Sequence, residues 1–316
     1  MKLNTKTKID RTTGFGTATS THGGRFINKN GNPNVQLTGL KFLSTVSWYH
    51  TLLSISRLHF LALVFAFYFF INLIFALIYY AIGVEFLRGI YATNELDKFG
   101  QAFFFSIQTY TTVGYGHISP NGFLTSFVSA IEALFGLLSF AIATGLFYGR
   151  FSKPKAYIKF SENAVIAPFK DHKALMLRIC PFKNTDLTDV EAKITLALEQ
   201  DENGQKVNKF YPLLLEYDKI NALTLSWTVV HPINEDSPLF ELKEEDYRLL
   251  NGEIIVIIKS FEEMFSTSVS KRTSYLFSDI VYGAQFEPMF SRDDMNSKTI
   301  LHLDKLNLQR KVPITN

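Results

Sequence analysis

The sequence predicts a chain in two parts. The first is a helical membrane part, two transmembrane helices with a re-entrant helix between them, and the second is an all-β, immunoglobulin-like sandwich. Three observations carry this expectation. Residues 58–82 hold no charged side chain, and residues 123–147 hold one, Glu132. Between these runs lies an apolar stretch too short to span, followed by a glycine-rich loop. After residue 155 the apolar pattern changes to period two, the period of half-buried strands. Composition agrees: the 316 residues include 30 Phe and 14 Tyr, and 19% are charged, below the roughly 25% of soluble domains. The mean hydropathy of +0.08 averages a membrane part with a soluble part. A single cysteine, Cys180, excludes a disulfide scaffold. A net charge of +3 without a dense basic stripe speaks against a nucleic-acid partner.

Residues 1–45 are polar, rich in Gly, Ser, Thr and Asn, and read as a flexible cytoplasmic segment. No apolar run occurs within the first 40 residues, so no cleavable signal peptide is expected. Residues 46–57 place Trp48, Tyr49, Leu52, Leu53 and Ile55 beside His50, Ser54 and Ser56. That pattern fits a helix lying in the membrane interface, or a plain extension of the first span. Residues 58–82 would rise roughly 37 Å as a helix, enough to cross a 30 Å hydrocarbon core with tilt. Asn72, mid-span, is expected to hydrogen-bond to a neighbouring helix. Residues 99–110 are too short to span and suggest a re-entrant helix, tolerated at membrane depth where protein or water covers its backbone.

The second run ends in Arg150 and Lys153-Pro154-Lys155. Basic residues flank the outer ends of both runs, with Lys41 and Arg57 before the first and Arg150, Lys153, Lys155 and Lys159 after the second. Both termini are therefore expected on the cytoplasmic side. Beyond residue 155, strands are expected at 174–180, 191–199, 222–230, 253–259 and 279–286, with a short helix at 241–250. Ala192, Ile194, Leu196 and Leu198 mark one buried face. The divisions are 1–45, a membrane domain at 46–155, a regulatory β-sandwich at 156–296, and a tail at 297–316.

The decisive stretch is Thr111-Thr112-Val113-Gly114-Tyr115-Gly116. Carbonyl oxygens that replace an ion's water shell must all face one axis, and this needs alternating backbone conformations, some with φ > 0. Gly114 and Gly116 supply these without steric cost. Val113 and Tyr115 point outward, where packing can hold the loop, and Thr112 can add its hydroxyl at the inner end. The run from Thr112 to Gly116 matches the loop of potassium-channel filters, with K⁺ held on the carbonyls of Thr112, Val113, Gly114 and Tyr115. One loop cannot surround an ion and four can, so a homotetramer is expected. The helix before the loop aims its C-terminus, the negative end of its dipole, at the pore, which favours a cation there.

With these residues in view, the chain resembles the inward-rectifier potassium channel family, its bacterial members above all. The resemblance runs from Arg25 to about Phe290. It rests on Arg25-Phe26-Ile27-Asn28-Lys29-Asn30-Gly31, Phe103-Phe104-Phe105-Ser106-Ile107 before the filter, Ser237-Pro238-Leu239, Arg272-Thr273-Ser274-Tyr275-Leu276, and Gly283 with Phe286-Glu287-Pro288. It implies a passive K⁺ channel of the bacterial inner membrane, without an organic cofactor and without enzymatic activity. It also implies an inner gate at Phe140, Thr144 and Tyr148, where four Tyr148 rings would close the pore by dewetting. An interfacial aromatic at a helix end is the plainer reading of Tyr148.

Other implications attach to single residues. Gln108 stands where the family carries a Glu behind the filter, and Ile118 where eukaryotic members carry its Arg partner. Neutral hydrogen bonds around Gln108 and Thr111 are then expected to brace the loop. Glu132 is the only acid in either span and is expected behind the filter. Phe140 and Lys259 stand where strong rectifiers carry acids, so rectification is expected to be weak, with Mg²⁺ or polyamines as weak blockers. Arg57, Arg150, Lys153 and Lys155 form a candidate site for anionic lipid headgroups, phosphoinositides by resemblance, with plain membrane anchoring as the alternative. Phe261 and Met264 fall at the family's cytoplasmic constriction; Met264 and Phe265 fit a sandwich core equally well. Cys180 reads as a small buried hydrophobe. Two other functions stay open, a non-selective cation channel and a membrane-anchored binding protein with a vestigial pore.

Overall fold

The computed structural model describes residues 9–10, 12–15, 24–36, 38–39, 47–202, 204–293 and 297–314. Most of the expected flexible segment 1–45, including Lys41, lies outside the described residues. The chain divides into two compact units, Thr38–Lys153, and Met1–Leu37 together with Pro154–Asn316.

The first unit is helical. Helix α1, Trp48–Ser54, is capped by Ser47, and α2, Arg57–Ile82, is capped by Ser56, whose hydroxyl accepts the His59 N–H at 3.3 Å. Ile55 and Ser56 have ψ of 159° and 157°. The two helices are therefore separate, and the residues before the first apolar run do not simply extend it. Gly83, at φ 118°, ends α2. Strand β1, Leu87–Arg88, pairs antiparallel with β2, Ser119–Pro120.

Helix α3, Glu95–Tyr110, begins four residues before the expected apolar stretch. Its N-terminus is set by chemistry that an apolar count does not see. The Asn94 side chain accepts the Asp97 N–H at 2.8 Å, and Glu95 and Asp97 sit at the positive end of the dipole. Helix α4, Phe123–Phe151, runs one turn beyond its apolar run. Helices α2 and α4 are both long and apolar enough to cross a membrane. Phe65, Phe67, Phe69, Phe70, Leu134 and Leu137 on these two helices are all exposed.

Among its described residues the second unit is mostly β, with one short α-helix and two 3-10 turns, 277–279 and 303–305. Its strands are β3 Ile158–Phe160, β4 Ala164–Phe169, β5 His172–Pro181, β6 Leu187–Glu202, β7 Gln205–Leu213, β8 Lys219–Ala222, β9 Trp227–Ile233, β10 Gly252–Glu262, β11 Thr267–Leu276, β12 Ile280–Tyr282, β13 Ala284–Phe286, β14 Phe290–Arg292, β15 Thr299–Leu301 and β16 Gln309–Lys311. Helix α5, Glu244–Leu249, precedes β10. One sheet runs β11-β10-β6-β7 with β8 also on β6; the other runs β12-β4-β5-β3 with β9 also on β5. A single apolar core joins the two. Leu175, Leu177, Ile179, Val229 and Ile233 from the second sheet share it with Ala192, Ile194, Leu196, Leu198, Ile254, Val256 and Ile258 from the first. The fold class is the expected one, spanning helices followed by a β-sandwich.

Several elements depart from expectation. Residues 222–230 are not one strand, because the chain crosses between sheets there: β8 pairs with β6 and β9 with β5. Residues 279–286 break at Gly283, φ 70°, into β12, parallel to β4, and β13. Residues 297–314 are no loose tail, since β15 pairs with β14, β16 pairs with β13, and Leu306 packs with Cys180 and Met289. Residues 24–36 are not free either. Phe26 and Ile27 are buried, and both their N–H groups donate to the buried Glu253 carboxylate, at 2.6 and 3.1 Å. Arg25 and Lys29 both pair with Asp279. Burial pushes the Asp279 carboxyl up, but Lys29, the Leu276 N–H and Arg25 outweigh it and hold it below the ordinary value.

Candidate functional site

The loop after α3 is built from the end of that helix. The Thr111 hydroxyl donates to the Ile107 carbonyl at 2.7 Å, Thr112 N–H to Thr109 at 3.0 Å, and Gly114 N–H to the Gln108 carbonyl at 3.2 Å. These bonds satisfy the orphan carbonyls of the last helical turn and turn the chain back along the helix end. Positive φ then recurs at every second residue: Thr112 at 60°, Gly114 at 48° and Gly116 at 79°. The two glycines were foreseen and Thr112 was not. A non-glycine residue there costs about 1 kcal/mol or more, which marks a backbone held by need rather than by preference. Residues 111–117 are all exposed, Tyr115 at 79%, so among the described residues nothing covers Val113 and Tyr115.

Between α2, α3 and α4 lies a buried polar hub. Glu132 on α4 accepts the Tyr79 hydroxyl of α2 at 2.6 Å and the Ser106 hydroxyl of α3 at 2.5 Å. Ser106 also lies 3.2 Å from Asn72 Oδ1, and Asn72 donates to the Tyr68 carbonyl at 2.7 Å. Asn72, Tyr79, Ser106 and Glu132 are fully buried. One carboxylate thus ties three helices together, and Asn72 makes the interhelical contact expected of it. Sequence reasoning singled out Glu132 but neither Tyr79 nor the hydroxyl of Ser106. The usable signal was that an acid inside a span needs donors. Gly136, one turn along α4, lies against the Tyr110 carbonyl so closely that a Cβ would collide with it. Close packing of α4 on the end of α3 explains that glycine.

Gln108 reaches the loop through its main-chain carbonyl. Ile118 is buried in an apolar cluster with Leu87, Phe105 and Phe75.

Phe140, Thr144 and Tyr148 lie one turn apart along α4. The rings are exposed, at 73% and 74%, and the Thr144 hydroxyl is turned back on the Phe140 carbonyl at 2.8 Å. Gly145, beside them, has no atom of the described residues beyond its own helix backbone within 4 Å of its Cβ position. Arg57, Lys153 and Lys155 are exposed, whereas Arg150 is engaged within the chain. Its guanidinium donates to the Leu52 carbonyl at 2.5 Å and the Ile55 carbonyl at 2.8 Å, and stands 4.4 Å above the Phe60 ring. At the tip of the β10–β11 hairpin, Phe261, Met264 and Phe265 are all exposed, Met264 at 78%; the sandwich-core reading of Met264 and Phe265 is thereby corrected. Glu262 accepts the Phe265 N–H at 2.9 Å and Ser266 takes φ 46°, which shapes the turn. Cys180 is buried, and burial pushes its thiol up, with Lys159 and Arg178 opposing. Among the described residues no group of His, Cys, Asp and Glu could hold a metal ion.

Residues 158–316 match the family model of the inward rectifier potassium channel C-terminal domain. The chain belongs to the inward rectifier potassium channel family. Residues 59–153 of this inward rectifier match the ion channel model. It is 32% identical over 269 residues to inward rectifier potassium channel Kirbac3.1 of Paramagnetospirillum magnetotacticum, covering 84% of this chain and 90% of that one. It is 27% identical over 292 residues to ATP-sensitive inward rectifier potassium channel 12 of Gallus gallus, covering 84% and 67%. To inward rectifier potassium channel irk-1 of Caenorhabditis elegans it is 24% identical over 224 residues, covering 66% and 41%. An inward rectifier is an ion-transporting membrane protein and not an enzyme, so α2 and α4 are its transmembrane helices.

Proposed function

We propose that four copies of this chain form a K⁺-selective pore in a bacterial inner membrane, with both termini cytoplasmic. K⁺ passes down its gradient along the carbonyls of Thr112, Val113, Gly114 and Tyr115, with Gly116 closing the filter. The observation that carries this reading is the alternation of positive φ at Thr112, Gly114 and Gly116. Such alternation directs successive carbonyls to one side, where dehydrated K⁺ is coordinated. The exposure of Tyr115 supports a tetramer, because its packing partner must come from another subunit.

Phe140, Thr144 and Tyr148 line the lower pore, and Tyr148 closes it. The β-sandwich and anionic lipid bias that gate, the lipid through Lys153, Lys155 and Arg57. Phe261 and Met264 form a second constriction at the hairpin tip. With Phe140 and Lys259 in place of acids, Mg²⁺ and polyamines bind weakly from inside and inward rectification is weak.

The test is the reversal potential of the purified protein in a planar bilayer under opposed K⁺ and Na⁺ gradients. Reversal at the K⁺ equilibrium potential is expected. Reversal near zero with clear current would establish a non-selective cation channel. Silence in neutral lipid and again with Tyr148→Ala would favour a binding protein with a vestigial pore.

A further inference from the structure

We propose that Arg150 is a positioning residue that fastens α1 to the end of the inner helix α4, rather than a ligand for lipid headgroups. The inference rests on the reading of Tyr148 as the gate. Three contacts converge on the guanidinium. It donates to the carbonyls of Leu52 and Ile55, which belong to the last turn and C-cap of α1. Its central carbon lies over the ring of Phe60, 4.4 Å from the centroid, in the first turns of α2. It stands two residues beyond Tyr148 on α4.

Helix α1 has seven residues, no buried side chain and no basic residue in its last turn. So short a helix is marginal alone, and its C-terminal carbonyls are the negative end of its dipole. Arg150 brings a positive charge to that end from another helix, and its forked donors satisfy two carbonyls at once. The next contact strengthens the same junction. A Cβ at Gly149 would lie 3.3 Å from both Leu53 and the Tyr49 hydroxyl of α1. Movement of α1 along the membrane surface is thereby transmitted to the segment of α4 that carries Tyr148. The two carbonyls hold one N–H on each terminal nitrogen, so a headgroup phosphate would compete for this fork with partners already in place.

The test combines amide hydrogen exchange with K⁺ flux, using the full chain in vesicles of neutral phosphatidylcholine and in vesicles with added anionic lipid. Wild-type residues 51–55 are expected to be protected in both. In Arg150→Gln they should exchange ~tenfold faster in both. Arg150→Lys keeps the charge that a headgroup would need but loses the fork and the flat face, so it should behave like Arg150→Gln. K⁺ flux should change in both variants when Tyr148 is present and not in a Tyr148→Ala background. Unchanged exchange in Arg150→Gln, protection that appears only with anionic lipid, or full rescue by Arg150→Lys would overturn the proposal. Faster exchange with unchanged flux would also overturn it, leaving Arg150 a merely structural cap. Faster exchange with a flux change that persists in Tyr148→Ala would support the clamp and overturn the gate reading of Tyr148 instead.

Discussion

The Ser106 hydroxyl donates to Glu132 at 2.5 Å, joining α3 to α4 through one buried carboxylate. The second carboxylate oxygen holds Tyr79 of α2. Glu132→Ala removes the acceptor for two buried hydroxyls and leaves a void, with an expected loss of about 2–4 kcal/mol. Glu132→Gln keeps one acceptor oxygen and should lose less. Thermal unfolding of the detergent-solubilised protein would rank the two variants, and equal losses would refute the hub.

Gly136→Ala drives a Cβ into the Tyr110 carbonyl, a backbone atom at the end of α3 that cannot rotate away. The variant should shift α3 and the loop it carries, costing about 1–3 kcal/mol and lowering K⁺ over Na⁺ selectivity. Gly145→Ala, whose Cβ meets no atom of the described residues beyond its own helix backbone, should retain selectivity. Bi-ionic reversal potentials of the two variants make the comparison.

Glu253 holds the Phe26 and Ile27 N–H groups. Glu253→Ala orphans both buried donors, and residues 24–36 should detach locally at a cost of about 2–4 kcal/mol. Trypsin should then cut at Arg25 and Lys29 well before the β-sandwich is digested. Asp279→Asn, which removes a charge shared by Arg25 and Lys29, should expose the same sites less strongly. Identical digestion of wild type and Glu253→Ala would count against this docking.

His231 on β9 donates from Nδ1 to the Leu214 carbonyl at 2.5 Å and accepts the Ser237 hydroxyl on Nε2 at 2.8 Å. Burial pushes its pKa down to about 4, with the Leu214 carbonyl opposing. In the unfolded chain a histidine titrates near 6.5. Between these values the unfolded state binds a proton that the folded state refuses. Stability should fall as pH drops from about 6.5 to about 4, by about 3 kcal/mol in total, and this group adds no pH dependence above that window. Thermal unfolding of wild type and His231→Gln across pH 4–8 gives the difference profile; parallel curves would remove His231 as its source.

Much of this protein is legible in its residue order. The spans follow from runs of uncharged residues long enough for a bilayer, a local property that needs no knowledge of contacts. Period-two burial along β6 likewise marks a strand facing a core, and the Thr-Val-Gly-Tyr-Gly run carries its own backbone demands. The boundary of α3 was missed because a single Asn94 cap, not hydrophobicity, starts it. The strands at 299–301 and 309–311 were missed because each is three residues long and is stabilised by a partner elsewhere in the chain.

The family and the order of its elements were thus determined by the sequence alone, since hydropathy, periodicity and motif are written along the chain. Only the tertiary structure decided which polar groups meet. Glu132 finds Tyr79 and Ser106, 53 and 26 positions away, and Arg150 finds Leu52 and Ile55, 98 and 95 positions away. Hydrogen bonds act over about 3 Å, so their partners are set by how helices pack, which residue order does not display.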